Sequence, residues 1–176
     1  DLVRSRGLGD VYKRQDWSWR TSILKDLDKG AYCFGYYDLD EWGMVNNASQ
    51  LGVSMLPTDQ AANLATLSSI YDTTGLKQRP ATKEVVTEEN VHYVTFLVSD
   101  GDKIAFNLWG QQGYMDHDLH GQFPLGYTIS PSLYDLAPAA LRWYYENSKE
   151  GDYFVAGPSG SSYIFPSKMS DADLDD

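Results

Sequence analysis

The residues best suited to chemistry are two aspartates, Asp100 and Asp102, separated by a single glycine. They follow the apolar run at residues 94–98, and Gly101 between them lets the backbone turn sharply. Hydrolysis of a glycosidic bond generally uses two carboxyl groups, one as proton donor and one as base or nucleophile. Asp100 and Asp102 are therefore the leading catalytic candidates, although either one could instead cap a helix that begins near Lys103.

A second acidic cluster comprises Asp38, Asp40 and Glu41, and it lies beside Trp42. An aromatic plane next to carboxylates is a suitable wall for a sugar ring, because the C–H face of a sugar stacks on aromatic rings. The alternative interpretation of this cluster is a solvated loop. The cluster nevertheless gives four candidate substrate-binding residues, and five others are placed with them: Asp59, Asn63, Asn107, Trp109 and Tyr163.

Two other functions stay open. His117 and His120, with Asp100 or Asp102, could bind a divalent metal, as in metal-dependent carbohydrate deacetylases. The His-x-x-His spacing is short and common, and a solvated loop is the favoured interpretation, so we assign no metal ligand and no cofactor. The other possibility is a non-catalytic carbohydrate-binding module that uses Trp42, Trp109 and Tyr163 without chemistry.

Composition limits the partners of the chain. Its formal net charge is −11, which argues against nucleic acid, since phosphate binding needs clustered Lys and Arg. The sequence has no apolar run of about 18 residues that could span a membrane. Thirteen tyrosines and five tryptophans suit either sugar stacking or core packing. The single cysteine, Cys33, is expected to be a small buried core residue.

Strand-like and helix-like stretches alternate along the chain, and this alternation indicates the α/β class with about five parallel strands. The run at residues 94–98 is apolar on both faces and predicts a buried strand. The predicted strands cover residues 30–37, 52–57, 91–98, 123–129 and 152–156. The predicted helices cover residues 17–27, 41–51, 60–70 and 138–147, and residues 71–90 are expected to form a loop.

Acidic residues recur where the strands end, which is where (β/α) barrels place their chemistry. We therefore expect a partial (β/α)-barrel-like domain, with about three of the eight barrel strands missing. Residues 1–15 are basic, lack a signal-peptide pattern and resemble a translated sequencing adapter, so the domain is expected to cover residues 16–176. Ser170 followed by acidic residues is typical of a helix start. We expect a fragment truncated at both ends and inactive by itself.

The last third of the chain carries a family resemblance. Residues 126–131, 136–138, 143–145 and 152–160 are similar to the C-terminal domain of the GxGYxYP putative glycoside hydrolase family, and residues 93–102 are similar to its strand with a Ser-Asp-Gly-Asp end. The naming motif falls on residues 160–166, Gly-Ser-Ser-Tyr-Ile-Phe-Pro, where Ser162 replaces the second Gly and Phe165 replaces the second Tyr. Ser162 is expected to restrict the backbone, since Gly adopts positive φ readily and Ser rarely does. The resemblance implies a barrel-like fold, action on a carbohydrate and an extracellular or periplasmic location.

Overall fold

The structure is a computed structural model that describes residues 11–35, 40–58, 61–70, 72–78 and 87–174, with side chains described from Ser18 onward. It is an α/β structure with parallel strands, and it divides into two compact units. The first unit contains residues 1–55 and 164–176, and the second contains residues 56–163. Among the described residues, no helix is both long enough and apolar enough to cross a membrane.

The first unit is built around helix α2 (Glu41–Ser49). Asp40 caps this helix, because its Oδ1 accepts a hydrogen bond of 2.6 Å from the backbone N–H of Gly43. Met44, Val45 and Ala48 of α2 are fully buried and form the core of the unit. The other elements of the unit are α1 (Val11–Lys25), β1 (Tyr32–Phe34), a 3₁₀ turn (Pro166–Lys168) and α7 (Asp171–Leu174). Strand β2 (Ser54–Leu56) spans the boundary at residue 55 and pairs with β1.

The second unit contains a three-stranded parallel sheet in the order β3 (Leu97–Val98), β4 (Leu125–Ile129) and β5 (Asp152–Ala156). Its helices are α3 (Leu64–Ser69), a π-helical turn (Phe106–Gly110), α4 (Gln112–Met115), α5 (Leu133–Leu136) and α6 (Pro138–Asn147). Strand β5 and helix α6 have the bounds that the sequence predicts. Pro138 fits the start of α6 because the first turn of a helix needs no N–H donor there.

The strand predicted over residues 91–98 is reduced to Leu97 and Val98, and this prediction was wrong in extent. Val94 is 72% exposed and Leu97 is 52% exposed, so the run is not buried on both faces. In the described sheet β3 is an edge strand that pairs only with β4. A two-sided apolar pattern predicts that a strand will be covered, but it does not identify the covering element. The described sheets are not closed, so the barrel expectation is not confirmed.

Several element boundaries also differ from the predictions. Helix α1 begins at Val11 rather than at residue 17, since residues 11–16 contain no Gly or Pro to stop it. Helix α3 begins only at Leu64, because Asn63 has a left-handed backbone with φ of 63° that a helix cannot include. Cys33 is half-buried in β1 rather than fully buried, and this burial raises the pKa of its thiol.

Candidate active site

The turn after β3 is held tightly against β4. Asp100 adopts φ of 68°, and Gly101 donates its N–H to Thr128 Oγ1 at 2.8 Å. Thr128 Oγ1 in turn donates to the carbonyl of Val98 at 2.7 Å. A Cβ atom on Gly101 would lie 1.8 Å from the carbonyl oxygen of Thr128. Glycine is therefore required at this position by close packing, whereas the positive φ falls on Asp100.

Asp102 is buried beneath the turn that follows β5. It is only 5% exposed, and its Oδ2 accepts a 2.5 Å hydrogen bond from Ser159 Oγ. A Cβ on Gly157 would lie 2.4 Å from the backbone nitrogen of Asp102, so the two turns are in direct contact. The sequence prediction missed Ser159 as a site residue. The sequence feature that could have identified Ser159 is its position in the Gly-Pro-Ser-Gly segment that follows β5.

The two aspartates therefore have different surroundings. Asp100 is exposed, and its carboxylate lies 3.5 Å from Ser99 Oγ, whereas Asp102 is enclosed by protein. Acid–base pairs in hydrolases commonly consist of two carboxyl groups in unlike environments. Both follow the carboxyl end of a parallel strand, which is the edge where α/β proteins place ligands and chemistry.

A cluster of buried hydroxyl groups supports the same edge. Ser130 Oγ and Ser132 Oγ are 2.7 Å apart, and the N–H of Ser162 donates to Ser130 Oγ at 3.2 Å. Ser162 is fully buried, its φ is 64°, and its own Oγ has no hydrogen-bond partner. Ser162 thus adopts a left-handed backbone conformation that glycine favours and that serine rarely adopts. Ser162 of the family motif therefore lies at the carboxyl end of β4, the same edge of the sheet as the Asp102 turn.

Asn107 is a positioning residue rather than a substrate-binding one. It is fully buried, and its Oδ1 accepts from the N–H of Ser130 at 3.0 Å while its Nδ2 donates to Gln111 Oε1 at 3.0 Å. The hydroxyl of Tyr144 donates to its carbonyl oxygen. Asn107 therefore presents no surface to a substrate in this structure, and its predicted role in substrate binding stays a prediction. Trp109, two residues later in the π-helical turn, is 68% exposed.

The remaining candidates of the second unit are less well placed. Asn63 is exposed and precedes α3 without capping it through its side chain. Tyr163 is half-buried and directly follows Ser162. Asp59 lies outside the described residues.

The acidic cluster of the first unit supports helix α2. Asp40 is its cap, and Glu41 and Trp42 are exposed in its first turn. Asp38 lies outside the described residues. The exposed ring of Trp42 is still suited to stacking on a sugar. The carboxylate of Asp40, in contrast, already serves as the cap of helix α2.

The two histidines do not join the aspartates. His117 lies exposed in a turn, and His120 is buried with its Nε2 2.7 Å from Oδ2 of Asp152. Asp152 begins β5, whereas Gly157 beside Asp102 follows the other end of that strand, about 16 Å away at 3.3 Å per residue. Metal ligands must lie within a few ångströms of each other, so His120 and Asp102 do not share a metal site in this structure. The described residues contain no group of three or more metal-binding side chains.

Two family models match the chain. The model of the GxGYxYP putative glycoside hydrolase C-terminal domain matches residues 90–176, which include the Asp102 turn and the 160–166 motif. The model of the GxGYxYP third domain matches residues 5–69, a range that begins inside the segment predicted to be foreign. The chain belongs to the GxGYxYP family.

A solved structure extends the comparison. The chain is 98% identical, with a TM-score of 0.84, to part of a putative hydrolase from Bacteroides thetaiotaomicron VPI-5482. The match covers 93% of this chain and 32% of that chain, so this chain spans about a third of the length of that protein. No curated protein matches the chain.

Proposed function

We propose that this chain supplies part of the active site of a glycoside hydrolase, in which Asp102 and Asp100 carry out the acid–base chemistry. The observation that carries the proposal is the enclosed Asp102 carboxyl, which is fixed by Ser159 at the carboxyl end of a parallel strand. The family description and the name of the solved relative, a hydrolase, support the same class of reaction.

The chemistry needs one proton donor and one proton acceptor. One carboxyl gives its proton to the glycosidic oxygen as the bond from the anomeric carbon breaks, and the other takes a proton from the attacking water or forms the covalent intermediate. Asp102 is held in one orientation by its hydrogen bond, as proton transfer requires, and Asp100 faces solvent from which water arrives. Ser159 acts through Asp102 as a positioning residue. We also propose, as the family resemblance implies, that the substrate glycan lies outside the cell or in the periplasm.

The test uses this chain's sequence placed in the corresponding region of the Bacteroides protein and a panel of 4-nitrophenyl glycosides. We expect Asp102→Asn or Asp100→Asn to lower kcat by about 100-fold or more, the usual loss for a general acid or base. Asp118→Asn is the matched control, because Asp118 is an exposed aspartate in the turn that contains the two histidines. Full hydrolysis in both active-site variants, with unchanged circular dichroism, would contradict the proposal.

A non-catalytic sugar-binding module is the second candidate, favoured by the 68% exposure of Trp109. The two candidates differ in a simple way. A binding module would retain affinity for a glycan in Asp102→Asn and lose it in Trp109→Ala, and the unmodified protein would cleave none of the glycosides that it binds. Cleavage that depends on Asp102 would exclude this second candidate.

A further inference from the structure

The hydroxyl of Thr128 bridges the two ends of the turn that carries Asp100. Its Oγ1 accepts a hydrogen bond of 2.8 Å from the N–H of Gly101 and donates one of 2.7 Å to the carbonyl of Val98. Val98 and Gly101 are three residues apart, and a carbonyl and an N–H at this spacing commonly bond to each other in a tight turn. Here one side chain of the neighbouring strand binds both groups, so Thr128 sets the path of the chain as it leaves β3.

The bridged turn holds Asp100 in a backbone conformation that is uncommon for any residue other than glycine. Its φ is 68°, in the left-handed region, and its carbonyl accepts from the N–H of Lys103 at 3.2 Å. A residue keeps such a conformation when its surroundings enforce it, and enforced conformations of this kind cluster at active sites. Because the Asp100 residue is exposed, the hydrogen bonds of its neighbours in the backbone supply much of this constraint.

Strand β4 also holds the other side of the turn. The backbone carbonyl of Thr128 lies so close to Gly101 that a Cβ there would collide with it. The carbonyl of Ile129 accepts from the N–H of Gly157 at 3.1 Å, and Gly157 packs against the backbone of Asp102. Thr128 is only 3% exposed, so water competes little for its hydroxyl. Two consecutive residues of β4 therefore hold both sides of the segment that contains the aspartates.

We propose that Thr128 is a positioning residue of the candidate active site, and that its hydroxyl sets the directions of the Asp100 and Asp102 carboxyl groups. In this role it contacts no reacting atom and acts through the backbone of the turn. The inference rests on the proposed function, since these directions matter for turnover only if the two carboxyl groups carry out the acid–base chemistry. A displacement of about 1 Å at a catalytic group costs about 100-fold in rate. Loss of the hydroxyl should therefore lower kcat much more than it raises KM.

The test uses the same protein and the same 4-nitrophenyl glycosides as the aspartate variants. Thr128→Val keeps the branched shape and removes the hydroxyl, and we expect kcat to fall by about tenfold or more while KM changes by less than about twofold. Thr128→Ser keeps a hydroxyl and should retain kcat to within about threefold. Hydrogen exchange followed by mass spectrometry in the peptide of residues 97–103 should become faster in Thr128→Val and stay unchanged in Thr128→Ser, because only the first variant releases the Gly101 amide.

Ser49→Ala is the matched control for the loss of a buried hydroxyl. Ser49 Oγ donates to the carbonyl of Val45 at 2.6 Å and accepts from the N–H of Phe165 at 2.8 Å, the same two kinds of hydrogen bond that Thr128 makes, but within the first unit. Ser49→Ala should therefore lower stability and leave kcat unchanged. If Thr128→Val unfolds, Thr128→Cys decides the question, because cysteine has the shape of serine but forms only weak hydrogen bonds, and it should turn over more slowly than Thr128→Ser.

The outcomes separate the positioning role from the proposed function. The positioning role is overturned if Thr128→Val retains full turnover, if Thr128→Ser loses as much turnover as Thr128→Val, or if Ser49→Ala lowers kcat equally. Equal turnover in Thr128→Cys and Thr128→Ser would overturn it as well. Full cleavage by both Asp100→Asn and Asp102→Asn would refute the proposed function itself, and the positioning role with it.

Discussion

Ser162 is the residue whose replacement gives the clearest test of the structure around the Asp102 edge. It is buried, its φ is 64°, and its Oγ has no hydrogen-bond partner. Both features are unfavourable for serine and both disappear in Ser162→Gly. Because the backbone N–H that donates to Ser130 Oγ is kept, the substitution leaves that hydrogen bond intact.

The size of the effect can be estimated from four contributions. Removing a side chain from the left-handed region recovers about 1–2 kcal/mol, and removing the unpaired buried hydroxyl recovers about 1 kcal/mol. The greater freedom of glycine in the unfolded chain costs about 0.5–1 kcal/mol, and the lost buried methylene costs about 0.8 kcal/mol. The balance is a gain of about 1 kcal/mol in the free energy of unfolding, which corresponds to about 2–4 °C in Tm for a chain of this size.

The matched control exchanges the same two residue types in the same motif. Gly160 also has a positive φ, 79°, and a Cβ there would meet no atom within 4 Å. Gly160→Ser therefore introduces the left-handed strain without crowding and should lower stability by about 1 kcal/mol. Urea unfolding monitored by circular dichroism and tryptophan fluorescence measures both variants. A loss of stability in Ser162→Gly of similar size to that in Gly160→Ser would refute the reasoning, since it would mean that the Ser162 hydroxyl is satisfied and needed.

Two other predictions concern the sheet. The side-chain amide of Gln78 donates to the carbonyl of Phe154 at 2.8 Å and accepts from its N–H at 3.4 Å. Gln78→Ala removes both hydrogen bonds and should lower the free energy of unfolding by about 1–2 kcal/mol, with faster hydrogen exchange at the Phe154 amide. Unchanged exchange there would show that Gln78 does not protect this amide. Burial and the nearby charge of Asp152 raise the pKa of Tyr127 to about 12 from 10.0, so the folded state holds this proton after the unfolded state has released it. Stability should accordingly fall as pH rises from 10 to 12. Tyr127→Phe should make that part of a urea-midpoint profile against pH less steep, although part of the slope remains because burial also raises the pKa of Tyr144; an equally steep profile in the variant would exclude Tyr127 as a cause.

The sequence alone determined the elements whose signals are local. Pro138 with the apolar stripe after it placed helix α6 at its observed bounds, and the run at residues 152–156 placed β5. The Asp-Gly-Asp turn and the 160–166 motif also identified the family, because spaced motifs in a fixed order are a property of the chain itself. The α/β class with parallel strands follows from the same alternation of strands and helices.

Only the tertiary structure decided which of these residues are neighbours and which are covered. The run at residues 94–98, apolar on both faces, predicted a buried strand, but burial depends on what packs against it, and residues 94–97 are exposed. Ser159 meets Asp102 across 57 positions of sequence, and His120 meets Asp152 across 32, at the other end of β5. Such pairings depend on the register of parallel strands, which hydrogen bonds between distant segments set and no local pattern encodes.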